Sequence, residues 1–149
     1  MKTLIRTTKI GLFFTLALMY GCASINSAPP EQDIAAKKFT KNPETSQVYV
    51  YRNETLGAAL SMPVTVDGKL AGTTGPKSFF KFDLPAGNHT LTSQGSKSIL
   101  DIETQNGELY FIWQEVKMGA FSGGSELQVV DEAKGKKGVS ACKLIQSNI

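Results

Sequence analysis

Few side chains in this chain have the type and spacing that catalysis or metal binding requires. His89 is the only histidine, so a histidine-based triad or metal site would rest on a single imidazole. Asp101 and Glu103 would point to the same side of a strand, where two carboxylates can hold a cation. No oxygen-rich loop adjoins them, and we interpret this pair as a solvated face. His89 follows a glycine turn, and we expect it to fix that hairpin.

The sequence also lacks the motifs of nucleotide-binding and acyl-transfer enzymes. Residues 68–75 are rich in glycine but lack the Gly-Lys-Ser/Thr ending of a phosphate-binding loop. Ser122 and Ser125 lie in a glycine-rich stretch without the strand, sharp turn and helix that expose a hydrolase nucleophile. We therefore predict no catalytic residue, no metal and no cofactor, and a protein that is not an enzyme.

The N-terminal residues have the layout of a secretory signal. Lys2, Arg6 and Lys9 are followed by an apolar run of eleven residues over 10–20, about half of what a membrane-spanning helix needs. The run ends in Leu18 to Cys22, which resembles the bacterial lipobox, where the cysteine is diacylated on sulfur and becomes the new N-terminus. We predict a lipoprotein signal peptide over residues 1–21 and lipidation of Cys22. Ordinary signal cleavage, with Cys22 unmodified, is the alternative.

Lipidation would decide where the protein resides, because two or three acyl chains hold a protein on a bilayer. Ala23 stands where an aspartate is the usual signal for retention at the inner membrane, so we expect an outer-membrane lipid anchor with the protein facing the periplasm. Once Cys22 is acylated, Cys142 has no partner for an intramolecular disulfide. We expect Cys142 to be a small buried residue, with a nucleophilic or intermolecular role as the alternative.

Composition excludes a nucleic-acid-binding protein. Hydrophobic residues make up 41% of the chain, enough for a buried core. The net charge of +3 comes from 16 bases and 13 acids, and three of those bases lie in the signal segment. The remaining chain is neutral, since 13 bases face 13 acids, and it has no basic surface for a polyanion.

Residues 22–46 have the composition of a flexible tether, because they are rich in Ser, Pro, Asn and Lys. As a random coil, residues 23–46 would reach about 27 Å. Residues 34–39 could form one or two helical turns.

From residue 47 onward, short β-branched and aromatic runs alternate with turn residues, which predicts a β-sandwich domain over 47–149. The fold class is all-β, an antiparallel sandwich of about seven to eight strands with a possible short C-terminal helix. The predicted strands are Gln47 to Arg52, Pro63 to Asp67, Phe79 to Leu84, His89 to Ser93, Lys97 to Thr104, Glu108 to Val116 and Glu126 to Val130.

Two local patterns refine this prediction. Residues 109–113 are apolar on both faces, so we expect a central strand whose second side is covered. Asp67-Gly68 favours a tight hairpin. After Val130, Asp131 could cap a helix over 132–137, although a final strand near 139–145 fits the sequence equally well.

Five segments carry a resemblance to a known family. They are Val48 to Arg52, Val66 to Lys69, Leu84 to Thr90, Gln114 to Gly119 and Cys142 to Leu144. In this order they resemble the bacterial lipoprotein family catalogued as domain of unknown function 2846, over nearly the whole domain. The resemblance implies a small envelope β-domain without established chemistry and supplies no catalytic residue.

One loop is a candidate binding site. Residues 117–124 present Met118 and Phe121 among glycines that permit movement, although both side chains could instead plug the end of the sandwich. Residues 56–61 form a second apolar connection, and an apolar patch would result if both lie at one end. We predict a lipid-anchored, non-enzymatic binding or structural module whose partners are the membrane and an envelope protein or glycan. The alternative is a periplasmic ligand binder for a glycan, peptide or lipid.

Overall fold

The computed structural model describes residues 25–95, 98–119 and 123–149. In chain order its elements are α1 (Pro30–Ala36), β1 (Ser46–Arg52), β2 (Met62–Val66), β3 (Lys69–Thr74), β4 (Ser78–Leu84), β5 (Gly87–Thr92), β6 (Ile99–Thr104), β7 (Leu109–Met118), β8 (Gly123–Val130), α2 (Glu132–Ser140) and β9 (Lys143–Leu144).

The strands form two sheets that pack face to face as a β-sandwich. One sheet has the order β8-β7-β1-β4-β9 and the other β3-β2-β5-β6. This confirms the predicted fold class, and all seven predicted strands are present. Pairing is antiparallel except between β1 and β7 and between β4 and β9, which run parallel. The five-stranded sheet is therefore mixed rather than purely antiparallel.

The described residues form nine strands, and sequence reasoning missed β3. Its Lys69 and Leu70 are exposed, and small residues follow, so hydrophobicity does not alternate. A Cβ on Gly72 would lie 2.9 Å from Cζ of Phe80, so glycine lets this strand approach the opposite sheet closely. The Asp67-Gly68 turn that joins β2 to β3 has positive φ at both residues, which confirms the predicted tight hairpin.

Every residue of β1 is buried, because β1 is central and both of its faces are covered. Val48 and Val50 belong to the core between the sheets, whereas Tyr49 and Tyr51 belong to a second core beneath the helices. The strand over 109–113 is also internal and covered, as predicted. The molecule thus has three layers: a sheet, a second sheet and a partial layer of helices.

The helix α2 packs directly on the sheet because it contains glycine. The Asp131 carboxylate accepts a hydrogen bond from the Lys134 amide at 2.8 Å, which confirms the predicted cap. A Cβ on Gly135 would lie 2.2 Å from Phe111, and one on Gly138 would lie 2.2 Å from Tyr51. After the helix comes the two-residue strand β9, so both predicted C-terminal alternatives occur in succession.

The segment predicted as a flexible tether over 22–46 is ordered on the domain from residue 25 onward. The amide of Ala28 donates to the Leu144 carbonyl at 3.0 Å. The Asp33 carboxylate accepts from the Leu144 amide at 2.7 Å, and the Tyr49 hydroxyl donates to the Ala36 carbonyl at 3.0 Å. Composition alone predicted a linker. The hydrogen bonds that order this segment join residues that are far apart in the chain, so no local pattern in the sequence indicates them.

The predicted signal peptide and Cys22 lie outside the described residues. Among the residues that are described, no helix is long and apolar enough to cross a bilayer.

Candidate binding cleft

His89 is part of a hairpin, as predicted. Its Nδ1 lies 2.7 Å from Oδ2 of Asp67, and its Nε2 lies 2.8 Å from the Pro85 carbonyl. Both partners accept hydrogen bonds, so the two ring nitrogens are both satisfied only when both carry a proton. Burial opposes the charged ring, but these two bonds outweigh burial and raise the pKa of His89. The imidazole therefore ties the Asp67 turn to the Pro85 turn.

Of the other groups considered for chemistry, Asp101 and Cys142 form hydrogen bonds within the fold. Asp101 and Glu103 are exposed, and Asp101 accepts the Thr90 hydroxyl at 2.6 Å. Cys142 is buried, its Sγ lies 3.4 Å from the Arg52 carbonyl, and burial raises the pKa of its thiol to about 12. Across the three described ranges, no three His, Cys, Asp or Glu side chains are grouped to hold a metal ion.

The connection over 56–61 lies beside Gly123, one of the described residues of the other apolar connection. A Cβ on Gly123 would lie 2.2 Å from Cδ1 of Leu60, so residues 56–61 touch the start of β8. The buried Arg52 guanidinium shapes this loop by donating to the carbonyls of Leu60 and Gly57 at 2.6 and 2.7 Å. Met118 is 59% exposed. Phe121 lies outside the described residues, and the binding-loop hypothesis stays a prediction.

A different concave site lies on the outer face of the five-stranded sheet. It is a cleft of about 570 Å³ between α1, the ends of β1 and β4, and the C-terminal residues. Its lining includes the polar residues Gln32, Thr40, Gln47, Lys81, Asp83, Gln146 and Ser147 and the apolar residues Ala28, Ala35, Ala36, Tyr49, Leu144 and Ile145.

Gln47 supplies an unpaired polar group at the floor of this cleft. The residue is 6% exposed, and its Oε1 is buried with no hydrogen-bond partner among the described residues. A buried amide oxygen without a partner costs about 1–3 kcal/mol. The free energy of the folded protein would fall if a bound molecule supplied a donor to this amide.

Lys81 and Asp83 form one wall of the cleft. They lie on β4, the strand paired with β1, which carries Gln47 and Tyr49. The β1–β4 register places Gln47 opposite Asp83 and Tyr49 opposite Lys81. The Lys81 ammonium donates to both Asp83 oxygens, at 2.9 and 2.8 Å. Because the two charges offset each other, the wall presents a dipole rather than a net charge.

Sequence reasoning did not predict this cleft. Alternation in the predicted strand Phe79 to Leu84 places Lys81 and Asp83 on the side away from the core, and Gln47 is the first residue of another predicted strand. The missing information is the β1–β4 register together with the position of α1, and both depend on contacts between residues far apart in sequence. A glutamine that precedes the four apolar residues Val48 to Tyr51 is the local signal that the sequence offers.

Comparisons with known proteins place this architecture in a family. Residues 42–125 match the family described as Protein of unknown function (DUF2846). A protein of Haemophilus influenzae, called only "Uncharacterized protein", is 36% identical over 135 residues, which span 88% of this chain and 80% of that protein. No solved structure matches the chain. The chain therefore belongs to the DUF2846 family of proteins of unknown function.

Proposed function

We propose that this protein is a lipid-anchored, non-enzymatic module of the bacterial cell envelope that binds a neutral polar ligand, a glycan or a peptide, in the outer-face cleft. The anchor rests on the basic start of the sequence, the short apolar run and the Gly21-Cys22 pair. The binding role rests on the cleft. This combination favours the ligand-binding alternative over a purely structural role.

Gln47 is the observation that carries the binding proposal. Buried side-chain amides in folded proteins are almost always hydrogen-bonded. Here the amide oxygen of a residue that lines a cleft is left without a partner in the described part of the chain. This oxygen is itself shielded from solvent, so a ligand with hydroxyl or amide donors would complete the bond once the Gln47 side chain turns toward the cleft.

The other polar groups of the cleft define the chemistry of the ligand. Gln32 offers an amide and Thr40 a hydroxyl. The Gln146 oxygen already accepts from Asn26 at 2.9 Å and the Ser147 hydroxyl from the Ile149 amide at 3.1 Å, and both side chains keep a donor for a ligand. Each of these groups can both donate and accept, which suits sugar hydroxyls and peptide amides. Acyl chains would leave the same groups unpaired, so the lining favours a glycan or a peptide over a lipid.

Among the described residues, the space between the two sheets is occupied by side chains. Its centre is filled by apolar side chains from both sheets, among them Val50, Val64, Phe80, Leu91 and Ile112. A ligand held between the sheets would have to displace this core. The cleft on the outer face requires no such displacement.

Binding is tested by titrating the protein with soluble peptidoglycan fragments that carry both sugar and peptide, using isothermal calorimetry. Gln32 is exposed and lines the cleft, so Gln32→Ala should weaken binding about fivefold or more by removing one hydrogen bond of about 1 kcal/mol. Gln105→Ala, an exposed glutamine away from the cleft, is the matched control. Equal affinities of the two variants, or no heat of binding to glycan, peptide or their conjugate, would refute the cleft as the binding site.

The anchor requires a separate experiment, because the cleft and the lipid are independent. Cys22→Ser should release the protein from the membrane fraction or leave unprocessed precursor. A wild-type protein whose mass shows an intact leader and no acyl chain would exclude the anchor without affecting the cleft.

A further inference from the structure

The ordered N-terminal segment fixes how far the domain can stand from its anchor. The backbone carbonyl of Asn26 accepts a hydrogen bond from the backbone amide of Gln146 at 2.8 Å, and Ser27 forms an antiparallel bridge with Ile145. Ile25 is seated over Gly75, where an added Cβ would lie 2.1 Å from Cδ1 of Ile25. The chain is therefore held on the domain from residue 25.

Only three peptide units join Cys22 to Ile25. Consecutive Cα atoms are 3.8 Å apart, so the two Cα atoms lie within about 11 Å of each other. A flexible tether over residues 23–46 would have allowed about 27 Å. An acylated Cys22 sits at the lipid headgroups, and the part of the domain around Ile25 must lie close to them.

Exposed apolar side chains surround this point. Leu70 is 52% exposed and lines a shallow groove together with Ile25 and Asn26. Ile34 is 62% exposed and lines a second groove together with Ser27. Large exposed hydrophobic side chains next to a short lipid tether are suited to contact with a membrane.

Charge at this site agrees with a lipid surface. Lys143 is exposed and lines the same groove as Ile34, and Lys69 is exposed and adjoins Leu70 in sequence. Asp33 also lines this groove, and its charge is offset by Lys37 at 2.8 Å. A lysine beside an anionic membrane surface is attracted by about 1 kcal/mol.

We propose that in the anchored protein the edge formed by Ile25, Ile34 and Leu70, here called the anchor-proximal edge, lies directly on the bilayer. This inference rests on the lipid anchor of the proposed function and commits to lipid as the partner. The opposite edge of the sandwich, where β6 lies beside β8, then faces away from the membrane.

The arrangement is tested by fluorescence depth measurements on the processed, acylated full-length protein. The variants Leu70→Cys and Ile34→Cys, each in a Cys142→Ala background, are labelled with an environment-sensitive dye. The proteins are reconstituted in vesicles of phosphatidylethanolamine and phosphatidylglycerol that contain spin-labelled lipid. Ile99 and Val129, which are 71% and 56% exposed and lie on β6 and β8, are the matched control positions.

We expect at least about threefold stronger quenching at Leu70 and Ile34 than at Ile99 and Val129, since apolar surfaces enter a membrane interface by about 5–10 Å. Insertion of about 12 Gly and Ser residues between Ala23 and Ser24 adds a reach of about 19 Å. We expect this insertion to reduce the difference while the protein stays on the vesicles. Equal quenching at all four positions of the vesicle-bound, uninserted protein would overturn the orientation and leave the anchor intact. A wild-type protein that does not remain with vesicles would overturn both.

Discussion

The outer faces of the two sheets differ in what covers them. On the five-stranded sheet, Tyr49, Phe79 and Phe111 form an aromatic cluster beneath α1 and α2, with the rings of Tyr49 and Phe111 stacked at 5.1 Å. On the four-stranded sheet, the corresponding face carries polar residues such as Thr65 and Thr92, whose hydroxyls bond across strands. The outer face of the five-stranded sheet is apolar and must be buried by the helices, whereas the outer face of the four-stranded sheet is polar and can face solvent.

The incomplete cover explains where a ligand site can form. α1 has seven residues and α2 has nine, too few to cover the whole outer face of the five-stranded sheet. The gap between α1 and the C-terminal residues is the cleft above Gln47. The proposed ligand site therefore lies in the helical layer, whereas the four-stranded sheet completes the core.

Removing an aromatic ring from beneath the helices should have the largest effect on stability. Phe111→Ala leaves a cavity under α2, and the expected loss is about 3–5 kcal/mol in the free energy of unfolding. Thr92→Ala on the other sheet should cost less than about 1 kcal/mol, because its hydroxyl is partly exposed. Urea unfolding measures both. Similar losses would show that the two outer faces do not differ in the way proposed.

Much of this difference between the faces could be predicted from sequence. Alternation identified the strands, and the two-faced apolar run over 109–113 indicated a covered strand. The sequence did not predict that a glycine-containing helix covers this strand, because Gly135 and Gly138 lower the helix propensity of the segment. The two glycines are required only because they lie against the rings of Phe111 and Tyr51. The position of Gln47 in the cleft likewise could not be predicted, because it depends on how β4 and α1 pack beside β1.

The glycines of α2 provide a second, smaller test. Gly138→Ala places a methyl group against the Tyr51 ring, so the expected cost is about 1–3 kcal/mol despite the better helix propensity of alanine. Lys137→Ala, at an exposed position of the same helix, is the matched control and should change stability by less than about 0.5 kcal/mol. A Gly138→Ala variant as stable as the control would mean that α2 does not pack closely on the sheet.

The hairpin pair on the four-stranded sheet should give a modest dependence on pH. The raised pKa of His89 contributes stability that is present below about pH 6.5 and is lost as pH rises through the folded-state value. The His89 hydrogen bond lowers the pKa of Asp67, whose contribution is present above about pH 3.8 and is lost as pH falls through its lower folded-state value. The pair therefore stabilises most between these limits.

We expect the free energy of unfolding to fall slightly between pH 6 and pH 8, by less than about 1 kcal/mol because the Asp67 side chain is exposed. This fall should be absent in His89→Gln. A wild-type curve that rises over this interval, or a variant curve with the same fall, would contradict the assignment.

The smallest effect on stability is expected at the floor of the cleft. Gln47→Leu replaces an unpaired buried amide with an apolar group of similar size, so stability should stay unchanged or rise by up to about 1 kcal/mol. The same change should weaken ligand binding about 5- to 150-fold in calorimetry, since it removes a hydrogen bond of about 1–3 kcal/mol. A variant that unfolds, or one that binds as tightly as the wild type, would remove Gln47 from the proposed site.

Side-chain amide resonances report directly whether a ligand binds in the cleft above Gln47. Isotopically labelled protein is titrated with soluble peptidoglycan fragments, and the amide signals of Gln47, Gln32 and Gln146 are followed by nuclear magnetic resonance. We expect saturable shifts of these signals, with little change at Gln114, which is buried and hydrogen-bonded to Ser93 between the sheets. Shifts at Gln114 with none at the three cleft amides would contradict it.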